Sequence, residues 1–386
     1  MASLLLPIIY LAFISLGLPD ALLGAAWPTM YPQLGAQVSW AGGVSMIISA
    51  CTILSALASD RLNERLGTGR VTAISVAATA AALFGFSFCH AFWQLCLWAI
   101  PYGLGAGSVD AALNNYVALH YKRRHMSWLP CMWGVGASLG PVIMGQALAG
   151  SGWQGGYRII GILQVVLTVV LLFSLPLWKL PQDAMGGEPF TPQHRSFPEL
   201  LKITGVPEVL VCFLCYCALE STAGMWASSY CTLVRGLDAQ TAASWASLFY
   251  LGITAGRFVS GFLTMKMSDR NMIRLGQVLI ALGILLVLLP AGNNVLFVGL
   301  ILIGLGCAPV YPCIIHETPV NFGRELSMSM TGLQMAFAYV GSCLAPPLFG
   351  LLANNITPAL FPFYLLALLV LMVCMHEQLV RKTRRS

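Results

Sequence analysis

Apolar runs of about 20 residues or more recur along this chain of 386 residues. No other feature constrains the fold as strongly, because about 20 apolar residues in a helix suffice to cross a bilayer. Twelve such runs stand out, at 4–31, 38–59, 71–89, 93–120, 128–149, 156–178, 206–230, 242–265, 272–289, 295–315, 326–353 and 358–374. Uninterrupted runs of this length are not the short alternating segments of a β-barrel. Hydrophobic residues make up 58% of the chain and charged residues 9%, whereas a soluble domain is about a quarter charged. This balance excludes an ordinary soluble enzyme, a disordered chain and a nucleic-acid binder. Met1-Ala2-Ser3 brings no positive charge, so the first run reads as an uncleaved membrane helix rather than a signal peptide. The 12 cysteines sit inside apolar runs as small apolar side chains. The dense group Cys212, Cys215, Cys217 has no histidine partners, so neither a metal site nor a cofactor is expected.

The basic residues test this division. All but three of the 20 fall between alternate runs or in the tail: Arg61, Arg65, Arg70; Lys122, Arg123, Arg124; Lys179, Arg195, Lys202; Lys266, Arg270, Arg274; Arg324; and Arg381, Lys382, Arg384, Arg385. Cytoplasmic loops carry the Lys and Arg excess. Both termini are therefore expected in the cytoplasm, with the chain a multi-pass protein of the cytoplasmic membrane. The net charge of +6 is mostly this topology signal.

The only long polar stretch splits the runs six and six. Residues 1–180 form an N-terminal half, 181–203 a cytoplasmic linker, 204–378 a C-terminal half and 379–386 a basic tail. The halves repeat one another. Gly136-Ala-Ser-Leu139-Gly-Pro141 matches Gly341-Ser-Cys-Leu344-Ala-Pro346, and Gly103-Leu104-Gly105 matches Gly304-Leu305-Gly306. Ser59-Asp60-Arg61 matches Ser268-Asp269-Arg270, and Asp20 with Gly24 matches Glu220 with Gly224. An all-α membrane protein of twelve transmembrane helices in two pseudo-symmetric six-helix halves is expected, the architecture of alternating access.

The Asp60-Arg61 and Asp269-Arg270 pairs after runs 2 and 8 resemble the major facilitator superfamily. Gly103-Leu-Gly-Ala-Gly107-Ser-Val-Asp110-x3-Asn114, followed by Trp133-Gly-Val-Gly136-x3-Gly140-Pro141, is similar to the fucose permease-like branch of sugar–proton symporters. Gly304-Leu-Gly-Cys-Ala308-Pro309-Val-Tyr311-Pro312 is similar to that branch's span 10. The chain departs from the branch near the start of span 5, where Trp128, Cys131 and Trp133 stand in place of a histidine or other polar residue. The resemblance implies that Asp20 and Asp110 are the proton-coupling acids of spans 1 and 4. Asp60, Arg61, Asp269 and Arg270, at matching cytoplasmic ends, are expected to brace the outward-facing state by charge pairs and helix-terminus contacts across the halves.

Carboxylates inside a bilayer are costly and usually face a cavity. Asp20, Asp110 and Glu220 are the three well inside runs. They lie about 24, 15 and 21 Å along their helices from the ends on the side of the termini, at 1.5 Å per residue. A desolvated carboxyl can take a proton on one face of the membrane and release it on the other. The alternative for Asp110 is a structural carboxylate pinned by Asn114 or Asn115. Candidate ligands for a small polar solute, a monosaccharide first, are Glu220, Asn114, Asn115, Trp27, Trp133, Gln146, Tyr216 and Gln334. Arg257 reads as a snorkelling side chain, and His316 with Glu317 as interfacial residues.

A proton-coupled sugar importer acting as a monomer is the leading expectation. A drug exporter and a sodium-coupled sugar symporter are the alternatives within transport. A membrane enzyme or receptor lacks support, since no nucleotide loop, Ser–His pair or sensor domain is seen in the sequence.

Overall fold

The computed structural model describes residues 2–120, 123–178, 197–263 and 266–383. The side chains of Asp60, Arg61 and Asn115, and residues 181–196 of the linker, lie outside the described residues. The first set of helices is α1 (Ala2–Asp20), α2 (Leu22–Gln33), α3 (Trp40–Leu66), α4 (Thr68–Ser87), α5 (Phe92–His120), α6 (Arg123–Gly150) and α7 (Gly152–Ser174). A short α8 (Phe197–Leu201) precedes α9 (Val206–Leu233), α10 (Ala239–Leu263) and α11 (Asp269–Leu288). Then follow α12 (Asn293–Cys307), α13 (Val310–Phe322), α14 (Arg324–Asn355) and α15 (Phe361–Thr383). Helices α1 and α2 together make one span, as do α12 and α13, so the described residues hold twelve membrane-length stretches, six on each side of the linker. Ten are long and apolar enough to cross a membrane by themselves, and Trp40–Leu66 and Phe92–His120 complete the set. Large apolar side chains stand exposed on many spans, Phe173 at 81% and Phe258 at 61% among them. Lipid is the solvent that such faces fit.

The residues form two compact units. Unit 1 holds 1–186 with Ala227–Ser247 and Asn354–Ile356, and unit 2 holds 187–226, 248–353 and 357–386. Packing inside each unit follows the sequence repeat. In unit 1, a Cβ on Gly136 would overlap the Ile14 carbonyl. In unit 2, a Cβ on Gly341 would overlap the Leu214 carbonyl. Likewise Gly103 lies on the Ile48 carbonyl and Gly304 on the Phe249 carbonyl, while Gly105 lies on Ser75 and Gly306 on Gly276. Each contact in one unit reappears in the other about 200 residues later, so the repeated glycines are the points where spans 1 and 5, 2 and 4, and 3 and 4 touch backbone to backbone, with their counterparts 200 residues on. Ser55, placed where a small residue is needed, donates to the Leu104 carbonyl and pairs with Ser108 on α5.

Local chemistry sets the helix ends. Gly35, at φ +61°, ends α2 in the left-handed region, and the Ala36 N–H closes back on the Tyr31 carbonyl at 2.9 Å. Gly236, at φ +68°, does the same after α9. Asp238 then starts α10, its Oδ1 accepting the Thr241 N–H at 2.9 Å. The Thr241 hydroxyl and N–H hold the Asp238 carboxyl below its usual range.

Candidate functional site

The break in span 1 is the centre of the unit 1 site. Pro19 has no N–H and cannot bond the Ser15 carbonyl one turn back. The freed carbonyl is taken by Gln164 of α7, whose Nε2 donates to it at 2.5 Å. Helix α1 ends at the next residue, Asp20. Asp20 sits midway along its span yet is exposed, so its carboxyl faces open space. Tyr102 on α5 donates to Asp20 Oδ1 at 2.7 Å, and Trp133 Nε1 on α6 donates to Oδ2 at 2.8 Å. One donor per oxygen, both from neutral side chains, fixes this carboxyl. A small cavity behind Tyr102, lined by Ser15, Pro19, Thr79, Val109 and Gln164, adjoins this clamp.

Asp110 lies within electrostatic reach of Asp20. Asn114 Nδ2, one turn along α5, donates at 2.9 Å to both the Asp110 carbonyl and its Oδ1. Spans 1, 4 and 5 thus bring together Asp20, Asp110, Asn114 and Trp133 of the sequence candidates, and add Tyr102.

Glu220 occupies the matching place in unit 2 with different surroundings. Tyr102 and Trp133 have as counterparts Ile303 and Ala338, which cannot donate. Glu220 instead faces Arg257 of α10, Oε1 to Nη2 at 4.0 Å, both side chains partly accessible. Arg257, expected from the sequence to snorkel, thus stands opposite a carboxylate on a neighbouring span. Tyr216 is fully buried behind Glu220, stacked on Phe213, whose ring also meets Tyr311 at 5.1 Å.

The remaining candidates do not gather at either acid. Trp27 is fully buried, its Nε1 donating to the Val38 carbonyl at 2.8 Å, so it offers no open face. Gln334 is fully buried and accepts from Thr318 at 3.0 Å. Gln146 is exposed near the end of α6.

Asp269 and Arg270 open α11, where an acid in the first turn suits the helix dipole. Asp269 Oδ2 pairs with His316 Nδ1 at 2.7 Å. Arg270 reaches Glu317 at 3.0 Å, Asn321 at 3.0 Å and Thr383 at 3.3 Å. Arg274 grips Glu377 with two bonds of 2.6 and 2.8 Å. These observed contacts join spans 9, 10 and 12 inside unit 2. His316 thus hydrogen-bonds Asp269, and Glu317 pairs with Arg270.

Comparison with known proteins agrees with this architecture. The family profile described as Major Facilitator Superfamily matches residues 9–246 and 235–383. The chain is 26% identical over 376 residues to a protein of Thermus thermophilus named "Probable nitrate/nitrite antiporter NarK1", covering 85% of this chain and 82% of that one. It is 21% identical over 314 residues to the cis,cis-muconate transport protein of Acinetobacter baylyi, covering 76% and 73%. The crystal structure of a peptide transporter superposes with a TM-score of 0.77 at 15% identity, over 98% of this chain and 95% of the other. Twelve membrane-length helices, glycine contacts repeated between two six-helix sets and a profile match along almost the whole chain have one reading: this protein belongs to the Major Facilitator Superfamily of membrane transporters.

Proposed function

We propose that the chain moves a small polar solute, a monosaccharide in the first instance, across the cytoplasmic membrane by proton-coupled alternating access, with both termini in the cytoplasm. The supporting observation is Asp20, a carboxyl at a proline break in span 1, exposed to open space and held by Tyr102 and Trp133. Discontinuous helices near the midplane are where such transporters place substrate and coupling ions. A carboxyl held by neutral donors can be charged or protonated without breaking an ion pair. Asp110 with Asn114 is its electrostatic partner or a contact to solute. The similarity to fucose permease-like sequences supports a sugar, whereas relatives named for nitrate/nitrite and for cis,cis-muconate carry anions.

The test is uptake into proteoliposomes with and without an imposed pH gradient, beside counterflow exchange. Asp20→Asn, a neutral mimic of the protonated acid, is expected to lose accumulation and keep exchange. Accumulation at the wild-type level along a pH gradient would remove Asp20 as the proton carrier. Uptake driven by a sodium gradient alone would replace proton symport with sodium symport.

A further inference from the structure

We infer that Tyr216, Gln277 and His376 hold a buried water molecule inside unit 2, and that this water bonds span 7 to spans 9 and 12 one turn from Glu220. The three side chains are 0%, 4% and 1% exposed. Neither Tyr216 Oη, Gln277 Nε2 nor either ring nitrogen of His376 has a hydrogen-bond partner among the described residues. Buried polar atoms in folded proteins are almost always paired, with protein or with ordered water.

The repeat brings the three to one place. Tyr216 follows Leu214 as Leu16 follows Ile14, and Gly341 and Gly136 rest on the carbonyls of Leu214 and Ile14. Gln277 follows Gly276 as Val76 follows Ser75, and Gly306 and Gly105 rest on the carbonyls of Gly276 and Ser75. The buried positions 157, 160, 164, 167, 171 and 174 of α7 recur in α15 at 362, 365, 369, 372, 376 and 379, so His376 answers to Leu171. In unit 1, Leu16, Val76 and Leu171 belong to one apolar core, and Leu16 and Val76 line the same small cavity. Unit 2 carries a phenol, an amide and an imidazole at these places.

Hydrogen bonds between the helices set the register independently. Arg270 reaches Thr383 and Arg274 grips Glu377, so the next turn of α11 brings Gln277 level with His376 on α15. Tyr216, Gln277 and His376 lie about 15, 12 and 10 Å along their helices from the ends on the side of the termini, at 1.5 Å per residue. Side chains lean toward the N-terminus of their helix. That lean carries Tyr216 and Gln277 toward the depth of His376, and His376 toward theirs.

The donors and acceptors suit one water. His376 Nδ1 stands 3.9 Å from Glu377 Oε1, which favours the proton on Nδ1 and leaves Nε2 an acceptor. The water accepts from Gln277 Nε2 and from the Tyr216 hydroxyl, and donates to His376 Nε2. That is one bond to each side chain, and about three is usual for a buried water.

The experiment is a high-resolution structure of the full chain, with and without xenon, beside melting temperatures of a mutant cycle. Density for one water within hydrogen-bond distance of Tyr216 Oη, Gln277 Nε2 and His376 Nε2 is expected, with no xenon at that place. Tyr216→Phe, Gln277→Val and His376→Leu should each lower the melting temperature, because each leaves the water and its other partners short of a bond. The triple variant Tyr216→Leu/Gln277→Val/His376→Leu repeats the apolar core of unit 1. It should cost less than the three single changes summed, as expected of one network. Direct bonds among the three side chains with no water density overturn the inference. So does xenon in their midst, since a dry apolar cavity takes xenon. Single variants that raise the melting temperature and add in the triple variant also overturn it, because removing unpaired groups would then simply relieve a cost.

Discussion

Asp20 shows how little is needed to hold a carboxyl inside a membrane. Two neutral donors, Tyr102 and Trp133, bind one oxygen each at 2.7 and 2.8 Å. Tyr102→Phe removes one bond to a charged group, worth about 1.5–3 kcal/mol, and keeps the ring packed against Phe86. Concentrative uptake should fall about tenfold or more while the protein stays folded. Unchanged uptake would mean that Tyr102 does not position the acid. The acids were legible in the sequence because a charge in an apolar run stands out. Their partners were less so. Tyr102 is one aromatic among many in membrane helices, and nothing in its spacing points to Asp20, 82 positions away. Trp133 was visible as a candidate, but as a ligand for solute rather than a donor to the acid. Arg257 reads as a snorkelling side chain from its place near a span end, and its approach to Glu220, on a helix 37 positions earlier, is not visible in the sequence.

At the scale of the helix, one proline organises span 1. Pro19 frees the Ser15 carbonyl, and Gln164, itself only 2% exposed, reaches over from α7 to take it. Gln164→Leu leaves that carbonyl without its donor and should cost about 1–3 kcal/mol, read as a lower melting temperature. In a Pro19→Ala background the restored backbone N–H can take the same carbonyl, so the second substitution should cost less. Full additivity in this double-mutant cycle would show that the two residues act independently. Sequence alone places Pro19 next to Asp20 but does not show where the orphaned carbonyl finds a donor, since that answer lies in a helix 149 positions away. The repeated glycines were legible for the opposite reason. Their spacing records helix contacts that each unit must make, and Gly136 on Ile14 and Gly341 on Leu214 are such contacts.

For the whole molecule, the sequence shows the twelve spans and their repeat, but not which ends pack together in a given state. Unit 1 contains Ala227–Ser247, so it includes the far end of α9 and the start of α10, on the side of the membrane away from the termini. Within unit 1, Ser228 donates to the Ala25 carbonyl at 3.0 Å. Gly145 has no room for a Cβ beside the Ser244 hydroxyl and the Gln240 carbonyl, and Asn354 reaches Gln37 at 3.4 Å. Two of these contacts are made by small residues at backbone distance, a form of packing that can part without breaking ion pairs. Alternating access requires that this side open during part of the cycle. Ala25→Cys with Ser228→Cys, two positions that already carry a Cβ and meet through the Ser228–Ala25 contact, in a chain freed of its 12 native cysteines, should form a cross-link that arrests counterflow, and a reductant should restore it. A cross-linked protein that exchanges solute at the uncross-linked rate would show that this contact stays closed throughout the cycle, and that the opening path runs elsewhere.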